Sequence, residues 1–169
     1  MRYRQKMDFA LREVTLNVAS GQKIGIVGRT GAGKTSILQT LFRLSEIDNG
    51  SVLIDGIDIR EVGLHTLRSA LSYIPQHPFL FNGSIRANLD PYDEHKPGDL
   101  TRVLAEVQLL EYVESLPHGM NTDLSDNKSV FSVGQTQLIC LARAILRKSK
   151  ILAIDEATAN VDEETDKFI

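Results

Sequence analysis

The apolar positions of this chain change their period along its length, and each change predicts a different element. Near the start, Leu11, Val14, Leu16 and Val18 alternate as the inward face of a half-buried strand does. Ser20-Gly21-Gln22 is a turn, and Lys23-Ile24-Gly25-Ile26-Val27 is a short apolar run that predicts a buried strand, so residues 11–27 are predicted to form an antiparallel hairpin. Ser36-Ile37-Leu38-Gln39-Thr40-Leu41-Phe42 then repeats at helical spacing. The turn signals Asp48-Asn49-Gly50 and Asp55-Gly56 bracket a strand at Ser51-Val52-Leu53-Ile54, and Leu71-Ser72-Tyr73-Ile74 is a further strand stopped by Pro75.

From about Asn82 to Val130 the texture becomes helical, with loops rich in Pro, Gly and Asp. Ser84 can cap a short helix through Leu89. Asp99 can cap a longer one carrying the stripe Leu100, Val103, Leu104, Val107 and Leu110. Residues 117–130 are polar and loop-like. A helix is predicted at about 133–147, with Leu138, Leu141, Ala142 and Ile145 on one face and Arg147 and Lys148 favourable against its dipole. Lys150 to Ile154 is again an apolar strand, and Glu163 to Ile169 starts a last helix. Strands alternating with helices predict an α/β fold with a mainly parallel sheet flanked by helices, interrupted by a helical insert.

One stretch carries the chemistry. Gly28-Arg29-Thr30-Gly31-Ala32-Gly33-Lys34-Thr35 matches G-x-x-x-x-G-K-[ST] at every fixed position, between a predicted strand and a predicted helix. Glycines let successive N–H groups converge on phosphate oxygens, and the helix N-terminus adds its positive dipole end. Lys34 would reach the β- and γ-phosphates and the Thr35 hydroxyl would ligate Mg²⁺, so Gly28 to Ser36 are the candidate nucleotide contacts of a P-loop NTPase. The strand Ile151 to Ile154 supplies the natural partner: Asp155 at its end can hold Mg²⁺ or its water, and Glu156 can polarise the attacking water.

Composition narrows the class without changing it. A chain of 169 residues that is 42% hydrophobic and 24% charged is long enough for a core and ordinary for a globular domain. The net charge of −3 makes no case for nucleic acid. Cys140 is the only cysteine, so no internal disulfide forms, and its apolar surroundings read as packing. No apolar run approaches the roughly 20 residues a bilayer crossing takes, and no signal peptide is expected. The histidines at 65, 77, 95 and 118 form no ligand-spaced cluster.

Tyr73-Ile74-Pro75-Gln76, Phe131-Ser132-Val133-Gly134-Gln135 and Asp155-Glu156-Ala157-Thr158-Ala159-Asn160-Val161-Asp162 follow the phosphate loop in a fixed order. That set resembles the nucleotide-binding cassette of ABC transporters, and most closely the second cassette of the multidrug-resistance-associated (C) subfamily, over essentially the whole chain. The resemblance implies a single ABC ATPase domain, with 1–81 and 132–169 as ATPase core and 82–131 as helical subdomain. It implies ATP and Mg²⁺ as ligands. Gln76 would join Glu156 as a catalytic residue, contact Mg²⁺ and sense the transmembrane domain. Ser132, Gly134 and Gln135 would serve the γ-phosphate of the opposite cassette in a head-to-tail dimer, Ala159 to Asp162 would lie at that interface, and Tyr3 would stack on adenine. The implied partners are a second cassette and the transmembrane domains of an exporter, at the cytoplasmic face of a membrane.

The chain departs from the family pattern in three places. Phe131 and Val133 replace Leu and Gly of the general signature, a form that the C subfamily uses. Ser125-Asp126-Asn127-Lys128 stands where an acidic-glycine-glycine run is usual. The family's switch histidine lies on a strand beyond Ile169, so the expectation is a C-terminally truncated cassette that lacks a full catalytic site by itself. Ser132 and Gly134 near a helix start also fit a plain N-cap, Gln76 a solvated loop, and Tyr3 edge packing. Competing classes are a soluble ABC ATPase, whose long coiled-coil insertions have no counterpart in the insert here, and a nucleotide-binding module without turnover. A GTPase is disfavoured because Asn127-Lys128-Ser129-Val130 lacks the Asp of N-K-x-D.

Overall fold

The computed structural model describes Met1 and residues 8–125 and 130–156. Tyr3, the segment from Asp126 to Lys128, the expected interface stretch Ala159 to Asp162 and the helix expected at 163–169 lie outside the described residues. The chain divides into two units, Met1–Ser69 and Ala70–Ile169.

In the first unit, helix α1 (Lys34–Leu41) follows the phosphate loop. It ends where Arg43 turns left-handed at φ 47°, a conformation that breaks the helical hydrogen-bond pattern. Helix α2 (Leu64–Ser69) contributes Arg68, which donates from Nε to the Phe42 carbonyl (3.1 Å) and from Nη2 to the Arg43 carbonyl (3.1 Å). Carbonyls that α1 cannot satisfy internally are thus held by a cation, which also complements the helix dipole. Strands β1 (Leu53–Ile54) and β2 (Ile57–Asp58) form an antiparallel hairpin with Ile54 opposite Ile57. Its two-residue loop is Asp55-Gly56, with φ of 52° and 81°, the paired positive values a tight hairpin turn needs.

The antiparallel hairpin therefore sits at 53–58. The hairpin expected over 11–27, including the strand at Lys23–Val27, is not formed: these residues carry no strand, and Val27 is 97% exposed. Alternation marks a face, but a strand exists only where another strand satisfies its N–H and C=O groups. None does so here among the described residues.

In the second unit, β3 (Leu71–Ile74) and β4 (Ile151–Ile154) pair in parallel with Leu71 opposite Ile151 and Ile74 opposite Ile154. The expected parallel sheet is represented by this two-stranded pair among the described residues. Four helices follow β3: α3 (Ile85–Leu89), α4 (Pro97–Glu106), α5 (Leu110–Ser115) and, after a single 3₁₀ turn at Gly119–Asn121, α6 (Val133–Arg147). Ser84 caps α3 as expected, accepting from the Ala87 N–H at 3.1 Å. Helix α4 starts earlier than expected. Pro97 occupies its first turn, where a missing N–H costs nothing, Lys96 is the N-cap, and Asp99 lies inside the first turn, favourable against the dipole. Leu110 does not continue the α4 stripe but opens α5, because Gln108 at φ 57° breaks the helix between them.

The core of this unit joins all four helices. Ile85, Leu100, Val103, Leu104, Val113 and Ile139 are completely buried, and Phe131, Leu138, Ala142 and Leu146 close around them. Each such aliphatic side chain contributes about 1.5–3 kcal/mol on burial. Cys140 packs buried beside Ile74, as its apolar surroundings predicted, and burial pushes its thiol pKa up.

Candidate functional site

The predicted site residues divide between the two units. In the first, the loop from Gly28 to Gly33 is largely exposed and leads into α1. Gly31 and Gly33 have φ of 81° and 94°, values that L side chains rarely adopt. A Cβ at Gly33 would meet the Ala10 carbonyl oxygen at 2.9 Å, so the position is closed to any larger residue. Gly33 is also the N-cap of α1 and offers no side-chain acceptor to the helix. Lys34 Nζ donates to the Gly28 carbonyl at 2.8 Å, which folds the ammonium back across the loop. Thr35 is exposed, whereas Ser36 is buried within α1.

In the second unit, two carboxylates stand at the C-terminal end of β4. The Asp155 N–H donates to the Ile74 carbonyl at 3.0 Å, so the ladder extends one residue past β4 and fixes where Asp155 leaves the sheet. Tyr73 Oη donates to Asp155 Oδ2 at 3.1 Å. Burial, then the charge of Asp155, pushes the Tyr73 pKa up to about 12. Glu156 has φ 47°, a left-handed bend that ends the extended run, and Gln76 Nε2 donates to its Oε2 at 3.0 Å.

Helix α6 begins beside this region's third motif. Ser132 is its N-cap: Oγ accepts from the Gln135 N–H at 3.1 Å, and Gln135 Oε1 accepts from the Ser132 N–H at 2.9 Å. That reciprocal pair is a capping box. Gly134 is buried in the first turn. Within its unit, then, the structure brings Gln76 to Glu156 and Tyr73 to Asp155, and employs Ser132 and Gln135 in closing the start of α6.

Taken unit by unit, the residues have the chemistry that a nucleoside triphosphate and a divalent cation require. Backbone N–H groups, the Lys34 ammonium and the Thr35 hydroxyl at an uncapped helix start form a donor set suited to phosphate oxygens. In the first unit the Thr35 hydroxyl, and in the second the Asp155 carboxylate and the Gln76 amide oxygen, are oxygen donors of the kind a hard cation such as Mg²⁺ takes. Sequence reasoning missed Tyr73 as a partner of Asp155. Its signal was a phenol at the one exposed position of a strand whose neighbours, Ser72 and Ile74, are buried. Sequence reasoning also missed the side chains that hold Gln76's segment in place, for which no local pattern exists.

A glycine-rich loop that opens a helix, and a parallel strand pair ending in two carboxylates, define a P-loop NTPase domain of the α/β class. Residues 11–159 match the family model described as ABC transporter, and the chain belongs to that family. The domain so matched binds ATP. The chain is 57% identical over 159 residues to ATP-binding cassette sub-family C member 4 of Homo sapiens, covering 94% of this chain and 12% of that protein. It is 48% identical over 169 residues to sub-family C member 2 of Rattus norvegicus, and equally so to member 3 of Mus musculus, each over 100% of this chain and 11% of the relative. The resemblance to the C subfamily therefore holds, and the chain spans about a ninth of the length of these relatives. No helix among the described residues is long and apolar enough to cross a membrane.

Proposed function

We propose that this chain is the ATP-binding and ATP-hydrolysing cassette of an ABC exporter, working at the cytoplasmic face of a membrane. Head-to-tail closure on a second cassette, driven by ATP, moves the transmembrane domains of the same transporter. The proposed organisation is an ATPase core of 1–81 and 132–169 with a helical subdomain of 82–131, on the pattern of a second cassette in the C subfamily. Nucleic acid is not a partner.

The contact between Gln76 and Glu156, 3.0 Å apart, supports this reading best. A carboxylate placed as general base needs its orientation held, and an amide donor holds it without removing its charge. Lys34 binds the β- and γ-phosphates. Asp155 and Gln76 present oxygens toward the cation, and Tyr73 fixes one oxygen of Asp155 so that the other is presented in a defined direction. Mg²⁺, when bound, neutralises charge on the phosphates and orders the water around them. Glu156 takes the proton of the attacking water. Ser132, Gly134 and Gln135 at the start of α6 face the γ-phosphate of the partner cassette, and Tyr3 stacks on the adenine.

The test is Glu156→Gln in the full-length protein, with ATP binding measured by calorimetry and turnover by phosphate release. Binding is expected to persist while turnover is lost and ATP-bound dimers accumulate. Hydrolysis at the parental rate would place the base elsewhere.

A further inference from the structure

Gln76 sits on a segment that no secondary structure holds, yet its side chain must meet Glu156. Helix α6 grips this segment at both ends. Gln137 Nε2 donates to the Pro75 carbonyl at 3.3 Å, on one side of Gln76. Arg143 Nη1 donates to the Phe79 carbonyl at 3.1 Å, on the other.

The Arg143 grip is itself braced. Its Nε donates to the Asn88 carbonyl at 2.6 Å and its Nη2 to Asn88 Oδ1 at 2.7 Å, a forked arrangement that only a guanidinium can make. Asn88, almost completely buried, passes the grip back: Oδ1 accepts from the Phe81 N–H at 3.0 Å, and Nδ2 donates to the Phe81 and Ser84 carbonyls at 2.9 and 3.0 Å. The guanidinium carbon also lies 5.1 Å from the Phe81 ring centre and 5.9 Å from that of Phe79. Among the described residues Arg143 makes no ion pair, and burial lowers its pKa from the usual arginine value. A mostly buried cation without a carboxylate is costly in stability alone, so its placement points to a geometric use. Gln137 tells the same story, because its Oε1 is buried without a hydrogen-bond partner.

We infer that Arg143 and Gln137 are positioning residues for the ATPase reaction: by anchoring the carbonyls on either side of Gln76 to α6, they set the distance between Gln76 and Glu156 and tie it to the helix that starts at Ser132. This rests on the ATPase reading above. Movement of α6 would be transmitted to Gln76 through two side chains, neither of which belongs to a nucleotide-binding motif.

The experiment uses the full-length protein with Arg143→Lys, Gln137→Met and Gln76→Ala, alone and combined. Arg143→Lys keeps the charge and loses the fork. Gln137→Met keeps the volume, loses the bond to Pro75 and removes an unsatisfied buried oxygen, so its thermal stability should not fall. Each is expected to lower kcat about 10- to 100-fold with little change in KM, the size of effect that a misplaced catalytic group has. In the Gln76→Ala background neither should lower kcat further, which a general structural role would not produce. Without nucleotide, hydrogen–deuterium exchange over residues 76–81 should speed up in both variants. Unchanged kcat, full multiplication with Gln76→Ala, or unchanged exchange each overturns the inference while leaving the ATPase reading intact. A parent without ATP turnover overturns that reading and the inference with it, whereas Gln76→Ala with parental kcat overturns the role of Gln76 and the inference but leaves ATP turnover standing. If Arg143→Lys does not fold, Gln137→Met carries the same outcomes.

Discussion

Tyr73 Oη donates to Asp155 Oδ2 at 3.1 Å across 82 positions of sequence, so a phenol on β3 and the carboxylate after β4 form one unit. The Tyr73 proton is held more tightly in the folded state than in the unfolded, with the pKa pushed up to about 12 from the ordinary 10.0. The stability linked to it is therefore complete below pH 10 and is lost as pH rises through about 12. Tyr73→Phe should remove a late-ionising tyrosine from an NMR titration of ¹³C-labelled tyrosine rings and flatten the alkaline loss of stability. If the signal removed titrates near pH 10 instead, Asp155 does not hold this phenol.

Lys34 lies folded over the loop carbonyl of Gly28, ready to exchange that contact for phosphate oxygens. Replacing it with alanine removes a charge-assisted contact that water does not replace without loss. ATP affinity should fall at least tenfold, about 1.4 kcal/mol. Calorimetric titration showing unchanged affinity in a folded Lys34→Ala variant would refute the assignment of the loop.

The Ser132 cap makes a prediction about stability that is independent of nucleotide. Ser132→Ala breaks the bond from Ser132 Oγ to the Gln135 N–H, at a cost of about 1 kcal/mol, whereas Ser132→Gly should cost only about a few tenths. Chemical denaturation should show a lower midpoint with an unchanged slope for the alanine variant. Equal midpoints for alanine and parent would mean that the capping box does not hold α6.

Leu104, completely buried among α4, α5 and α6, tests the core on which that helix rests. Leu104→Ala should destabilise by about 2–5 kcal/mol, through lost burial and the cavity left behind. Leu104→Met, which nearly conserves volume, should cost less than about 1.5 kcal/mol. Similar losses in the two variants would show that the site tolerates a void and that this cluster is loosely packed.

The sequence by itself determined what closes within a few residues. Helix α6 runs from Val133 to Arg147 as its apolar spacing and its Ser132 start predict, and Ser84, Asp55-Gly56 and Pro75 mark boundaries that the backbone obeys. These signals are local because a cap, a turn or a helical bond joins atoms at most four positions apart. The phosphate loop is legible for the same reason, since its glycines, its lysine and the helix start are contiguous. The end of the strand at 151–154 named Glu156, and the resemblance named Gln76, as working residues, but their contact across 80 positions is not written in either motif. Tertiary structure alone decided that contact, the Tyr73–Asp155 pair and the grip of Arg143 on Phe79 and Asn88. It also decided against strands at 11–27, where the alternation is plain but no ladder partner satisfies the backbone among the described residues. Periodicity chooses which side of a segment is apolar. Which distant segment meets it depends on closing loops of many tens of residues, whose entropy must be offset by packing and hydrogen bonds that no short window of sequence contains.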